Sequence, residues 1–233
     1  MSWSSYSDGH ERKAELARKM ARRSELGETF IRVEAPGGSK KLVNTFWGRS
    51  WCLHLETYHD YEGRLPRGRS YLRQGNVYNL NIEPEFITAQ VAGAELYDVE
   101  IRIAPLEEEL WHRFKETCAG QVDSVLDLLA GKVGDGLLKV IANPETGLFP
   151  APKEIRFSCT CPDWANMCKH VAAVLYGVGV KFDVDPQLFF GLRNVNPAEL
   201  LSAGAKQALN LESTEGAFFE DSELGSIFGI DLA

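Results

Sequence analysis

No apolar run in this sequence is long enough to cross a bilayer. The longest, Val171 to Val180, contains two glycines and falls far short of the roughly 20 apolar residues a membrane helix needs. The opening, Met1 to Gly9, is polar and aromatic, without the basic, apolar, small-residue order of a secretory leader. Together these absences predict a cytoplasmic protein with no membrane partner. The signatures of common catalytic sites are also missing: no G-x-x-x-x-G-K-S/T, no H-E-x-x-H, no G-x-S-x-G and no glycine-rich dinucleotide turn. Acids are plentiful, yet no two pair as acid and base from sequence alone, so the expectation is a protein that is not an enzyme. Internal repeats and low-complexity runs are absent. The five cysteines are an odd number, and three of them, Cys159, Cys161 and Cys168, crowd within ten residues. That spacing excludes a disulfide framework and points to a metal site in a reducing compartment.

What is present is an ordinary globular composition, 44% hydrophobic and 25% charged over 233 residues, enough for one large domain or two small ones. The net charge of −8 argues against a uniformly basic nucleic-acid binder. It conceals an asymmetry: residues 1–75 hold 14 Lys+Arg against nine Asp+Glu, whereas residues 201–233 hold one lysine against six acids. A basic front and an acidic tail suit nucleic-acid contact or self-docking, and suit solvated charge about equally.

Residues 11–26 predict a basic helix with few apolar positions, Leu16, Met20 and Leu26. Ala35 to Ser39 reads as a turn. Residues 46–61 predict a helix with a bulky aromatic face, carrying Trp47, Trp51 and Tyr58, which Leu65-Pro66-Arg67-Gly68 is expected to break. From Ser70 to Ile103 the alternation is that of a three- or four-stranded antiparallel meander. A helix from Pro105, short helices at 122–129 and 136–142, a strand at 155–159, a helix at 168–177 and two helical turns at 186–192 and 197–209 complete the reading. The fold class is therefore α+β: a small antiparallel sheet with helices, then a zinc-stapled strand–loop–helix finger and a helical C-terminus. The segments are 1–45 (basic, helical), 46–150 (α+β), 151–182 (finger) and 183–233 (helical, with the acidic tail).

The chemistry concentrates in Phe157-Ser-Cys-Thr-Cys-Pro-Asp-Trp-Ala-Asn-Met-Cys-Lys-His-Val171. Tetrahedral zinc takes four Cys or His ligands, and Cys159, Cys161, Cys168 and His170 supply four. In a strand the side chains of Cys159 and Cys161 point the same way, so a C-x-C pair grips one ion. Cys168 and His170 enter at the start of a helix, whose free N–H groups and dipole favour thiolate. With all four positions filled by protein, the Zn2+ is structural, one per chain. A redox dithiol more often reads C-x-x-C beside a βαβ pattern, an iron–sulfur cluster usually recruits four thiols, and chance clustering of buried cysteines is the remaining alternative. On this reading zinc closes a small sub-domain, and its removal loosens Phe157 to Tyr176 first.

The C-x-C-x6-C-x-H spacing resembles the SWIM zinc finger. TFWGRSWC, RLPRGRSYLRQGNVYNL, CAGQVDSVLDLLAGKVGDG and GLFPAPKEIRFSCTCPDWANMCKHVAAVLYGVG extend the likeness to bacterial SWIM zinc finger family proteins over much of the chain. The resemblance implies zinc binding and a role in DNA or protein interactions, and bacterial members resemble companions of SWI/SNF-type helicase-like ATPases. Beside it stand the residues' own pointers. Arg64, Arg67, Arg69 and Arg73, interleaved with Tyr61, Tyr71 and Tyr78, offer guanidinium and ring surfaces to DNA or RNA, or form a salt-bridged structural loop. Lys169 and the Arg18–Arg23 helix are further phosphate contacts on the first reading. Trp164 and Tyr176 are expected to pack the finger onto its neighbours. Cys52 and His54, with Cys118, His59 and His112, would form a second metal site only if the fold brought them together. Two functions follow: a nucleic-acid-binding accessory factor, or an adaptor in which structural zinc shapes a protein-docking surface. The tail, with Phe218, Phe219, Ile227 and Phe228 among its acids, reads as a partner-docking peptide or, alternatively, as the last strand or turn of the domain itself.

Overall fold

The computed structural model describes residues 4–35, 41–57, 63–119, 125–132, 135–143, 146–163 and 165–201. Helices α1 (Ser4–Glu25), α2 (Phe46–Glu56) and α3 (Leu65–Arg73) precede strands β1 (Val77–Glu83), β2 (Phe86–Ala92) and β3 (Leu96–Ile103). Helices α4 (Glu108–Cys118), α5 (Val125–Leu129) and α6 (Asp135–Ile141) follow, then β4 (Ile155–Cys159), α7 (Lys169–Val184) and α8 (Gln187–Leu192). The α+β class stands. Residues 197–198 form a turn and 199–201 are helical, while 202–209 of the expected helical segment and the acidic tail lie outside the described residues. So does most of the turn expected at Ala35 to Ser39.

The four strands form one antiparallel sheet in the order β1-β2-β3-β4. On β3, Tyr97, Val99, Ile101 and Ile103 are buried while the residues between them are exposed, the period-2 pattern of a sheet with one covered face. β4 returns after the helical excursion α4–α6 and pairs with β3, Ile101 opposite Phe157 and Val99 opposite Cys159.

The apolar run 171–180 that is too short for a membrane turns out to be the middle of α7, the central element of the core. Every residue from His170 to Val180 is buried, and a helix apolar all round must be enclosed on all sides. α2 and α3 cover it on one side and the sheet on the other. Trp51 is fully buried and donates its indole N–H to the Leu175 carbonyl at 2.8 Å; Trp47, equally buried, donates to Leu128 at 3.2 Å. α2 is fixed at its start by Asp183 of α7, whose carboxylate accepts from the Thr45 backbone N–H (3.0 Å) and hydroxyl (2.6 Å). The strand and helix of the finger are thus part of the main sheet and the main core.

The expected break at Leu65 to Gly68 is a helix instead, and the strand expected from Ser70 begins only at Val77. Pro66 sits in the first turn of α3, where its missing N–H costs nothing. Gly68 does not end the helix either. A Cβ there would lie 2.4 Å from the Cβ of Ala172 and 2.7 Å from its backbone carbon, so the glycine lets α3 lie directly against α7. The real stop is Gly75, in the left-handed region at φ +68°.

Candidate metal centre

Cys159 is the last residue of β4 and lies on the same face as the buried Ile155. The backbone past it is tied to β3 twice: the Thr160 N–H donates to the Asp98 carbonyl (3.1 Å), and the Asp98 N–H donates to the Thr160 hydroxyl (3.0 Å). These bonds hold Cys161 on the side of Cys159. Cys168 is the N-cap of α7: its backbone is extended, and its sulfur accepts the N–H of Val171 at 3.5 Å. A sulfur is here in the place usually taken by a Ser or Asp oxygen. His170 follows in the first turn.

These four side chains are the group among the described residues able to hold a metal ion, their ligand atoms all lying within 4.8 Å of one another. Zn–S bonds of about 2.3 Å and Zn–N bonds of about 2.0 Å set a tetrahedral S···N edge of roughly 3.5 Å, and Cys159 Sγ stands 3.9 Å from His170 Nδ1, close enough for one ion to draw both in. The donor set, three thiols and an imidazole, is that of a closed structural zinc site. Cys168 carries the thiolate most readily: hydrogen bonding from the Cys159 thiol, then from His170 and the Val171 N–H, lowers its pKa to about 3 against the opposing effect of burial. The same thiolate pushes the Cys159 thiol up. Burial comes first among the causes that push Cys161 up. A divalent cation at the centre would relieve this mutual repulsion by offsetting two of the three thiolate charges, leaving a net charge of about −1.

His170 is held by aromatic rings. Tyr97 lies 4.6 Å from it, tilted by 30°, and Tyr71 of α3 meets it edge-on at 5.4 Å. Nδ1 faces the sulfurs. Nε2 faces Gly93 at the β2–β3 turn, 2.9 Å from where a Cβ would lie, and is buried with no hydrogen-bond partner. Packing, rather than an outer hydrogen bond, orients this ligand. From sequence, Gly93 reads only as a break between strands and Tyr97 only as an inward position of the alternating β3; nothing local to either points at the finger.

The arginines of α3 divide between two places. Arg64 reaches into the finger loop and pairs with Asp163 at 2.8 Å. Arg67 is exposed; Lys169 is half-buried with its ammonium 5.1 Å from the centre of the Tyr71 ring. Arg69 instead pairs with Glu56 of α2 and donates to the Tyr176 hydroxyl at 3.1 Å. Arg69 and Arg73 line a cavity beside α2. On α1, Arg12, Lys19 and Arg22 line a cleft of about 720 Å³ whose opposite wall is Ala94 to Leu96, the turn next to Gly93. Tyr176 is fully buried as expected, while Trp164 and Tyr61 lie outside the described residues.

Among the described residues, Cys52, His54, Cys118 and His112 do not gather into a second metal site. Cys52 is buried against Gly179 of α7 and burial pushes its thiol to about 12; burial does the same to Cys118 within the core cluster. His54 hydrogen-bonds the Pro150 carbonyl at 2.9 Å, and His112 is exposed beside Glu116. His59 lies outside the described residues.

Residues 156–178 match the SWIM zinc finger family. Over 173 residues the chain is 32% identical to the uncharacterized protein Rv2102 of Mycobacterium tuberculosis; the match takes in 73% of this chain but only 62% of that relative's length. No solved structure matches the chain. Among the described residues no helix is long and apolar enough to cross a membrane.

Proposed function

We propose that this chain, whose SWIM zinc finger is built from Cys159, Cys161, Cys168 and His170, is a non-enzymatic accessory factor that binds nucleic acid through the surface around the zinc. The supporting observation is where the basic residues fall. Arg64, paired with Asp163 of the finger loop, and Lys169, whose ammonium lies over the Tyr71 ring, border the finger on one side, and Arg67 is exposed on the same helix as Tyr71. The basic face of α1 borders the β2–β3 turn that abuts His170 on the other. Two cationic elements from distant parts of an acidic chain thus flank one rigid metal-stapled edge. Guanidinium and ammonium groups at such an edge suit phosphate contact, and Tyr71 offers a ring to an unstacked base. The resemblance to companions of SWI/SNF-type helicase-like ATPases supplies the class of partner: a motor that moves DNA while this protein holds it.

Fluorescence anisotropy with labelled single- and double-stranded DNA and RNA over a salt series tests the proposal. Affinity should fall with salt, and Arg67→Glu with Lys169→Glu should flatten the duplex DNA slope by about 2, close to one per lost phosphate contact. Absence of binding at about 50 mM salt, where phosphate contacts are strong, would refute it. That outcome would favour the adaptor reading, which the net charge of −8 supports: a docking surface for another protein, shaped by zinc.

A further inference from the structure

A metal-ligating histidine normally donates its second ring N–H to a carboxylate, a backbone carbonyl or water, and that bond fixes the ring. His170 is held differently. Its Nδ1 stands 3.9 Å from Cys159 Sγ, on the side of the metal ligands. Its Nε2 is buried and, among the described residues, has no hydrogen-bond partner. With the metal on Nδ1, the neutral ring carries its proton on Nε2. Something other than an outer hydrogen bond therefore decides which nitrogen meets the sulfurs.

Gly93, which directly follows β2, faces this nitrogen. A glycine at a turn usually serves a left-handed backbone, as Gly75 does at φ +68°. The φ of Gly93 lies outside that region, so alanine could adopt the same backbone. What excludes a side chain here is space. A Cβ would lie 2.9 Å from His170 Nε2 and 2.8 Å from Cε2 of Tyr97, whereas non-bonded heavy atoms rest at about 3.5–4.0 Å. Neither ring has room to retreat. His170 and Tyr97 are both buried, their rings 4.6 Å apart and tilted by 30°, and Tyr71 of α3 meets the imidazole edge-on at 5.4 Å. The turn itself is tied, since the Gly93 N–H donates to the Glu95 carbonyl at 2.8 Å.

We propose that Gly93 is a positioning residue of the zinc site: by carrying no side chain, it gives the Nε2 edge of the imidazole a place against the β2–β3 turn and so directs Nδ1 to the three sulfurs. The metal centre then extends beyond residues 156–178, which match the finger family, to a turn far upstream in the chain. Tyr97 of β3 supplies the adjoining wall, so the sheet that carries Cys159 on β4 also orients the histidine. Shape does here what an outer carboxylate does elsewhere. This role is independent of nucleic-acid binding, and a protein that bound none would keep it.

A double-mutant cycle on the full-length chain tests the proposal, with zinc affinity read by competition with a chromophoric chelator. Gly93→Ala should weaken zinc binding by about 10–100-fold, the range for loss of the outer support of a ligand. His170→Cys removes the imidazole and leaves the methyl its room, while four thiolates still close a zinc site. In that background Gly93→Ala should change affinity by no more than about twofold, the scatter of independent sites. An equal loss in both backgrounds overturns the proposal, because the methyl would then damage the turn and not the histidine. Unchanged affinity in Gly93→Ala alone overturns it too. If Gly93→Ala does not fold, a folded, zinc-holding chain in Gly93→Ala with His170→Cys supports the proposal, and failure of both refutes it. Long-range proton–nitrogen NMR spectra of the zinc-loaded parent with isotope-labelled histidine give a second readout. The ring that responds to zinc removal should be metal-bound at Nδ1 and protonated at Nε2, and Gly93→Ala should lose or exchange that pattern. Coordination through Nε2 in the parent, or an unaltered Nδ1 signal in the variant, overturns the role of Gly93.

Discussion

Gly68→Ala adds one methyl group where the structure leaves no room for it. The new Cβ would fall 2.4 Å from the Ala172 Cβ and 2.7 Å from both the Ala172 carbonyl carbon and the Ala173 nitrogen. Two carbons rest at about 3.5–4.0 Å, so α3 must retreat from α7 by more than an ångström, and backbone atoms cannot swing aside as a flexible side chain does. Overpacking of this kind costs about 1–3 kcal/mol. The backbone contacts put it near the upper end, and the better helix propensity of alanine returns at most about 1 kcal/mol. A net loss of about 2 kcal/mol remains, which lowers the melting temperature by roughly 4–8 °C in a chain of this size. The retreat also pulls Tyr71 from its edge contact with His170, so zinc should be held less tightly. Thermal melts and competition with a zinc chelator read the two effects. Pairing the change with Ala172→Gly should recover part of the loss, the part due to the Cβ–Cβ contact alone. If Gly68→Ala melts within a degree of the parent and keeps its zinc affinity, the close helix crossing is not what anchors the finger to the body.

Elemental analysis should give one zinc per chain, and Cys161→Ser should lose it; full retention would refute the ligand set. Because β4 is hydrogen-bonded to β3 and α7 is enclosed by α2, α3 and the sheet, chelation should raise hydrogen exchange first across 160–168, with 171–182 still protected. Faster exchange through 174–182 at the same moment would show that zinc holds the core and not only its edge. His54 supplies a pH test. Burial, above all, lowers its pKa, against the hydrogen bond to Pro150. Below pH about 6.5 the unfolded chain takes up a proton that the folded chain refuses. Stability therefore falls as pH drops from about 6.5 toward the lower folded value, and is unaffected by this group above it. His54→Gln should flatten urea midpoints between about pH 5 and pH 7; an unchanged slope would mean that the imidazole is protonated in place.

Much of the centre is local chemistry. Cys159, Cys161, Cys168 and His170 lie within twelve consecutive residues, so alternation along one strand and the first turn of one helix decide most of their geometry, and spacing alone named the ligands. The strands from Val77 to Cys159 were legible for a similar reason, since a half-covered sheet writes its period into the chain. Two things could not be read that way. The RLPRGRSYLR segment looks like a broken loop because proline and glycine usually interrupt helices. Here the proline occupies a first turn, and the glycine answers to Ala172, a hundred residues further on. The destination of each basic residue is likewise invisible: Arg64 and Arg69 are five positions apart, yet the rotation of a helix sends one to Asp163 of the finger loop and the other to Glu56 and Tyr176. Local pattern determined what this protein binds with at its metal centre. Which charges surround that centre, and which leave it for a cavity of their own, was settled by helix packing, because contacts between distant segments follow from shape and burial across the whole chain.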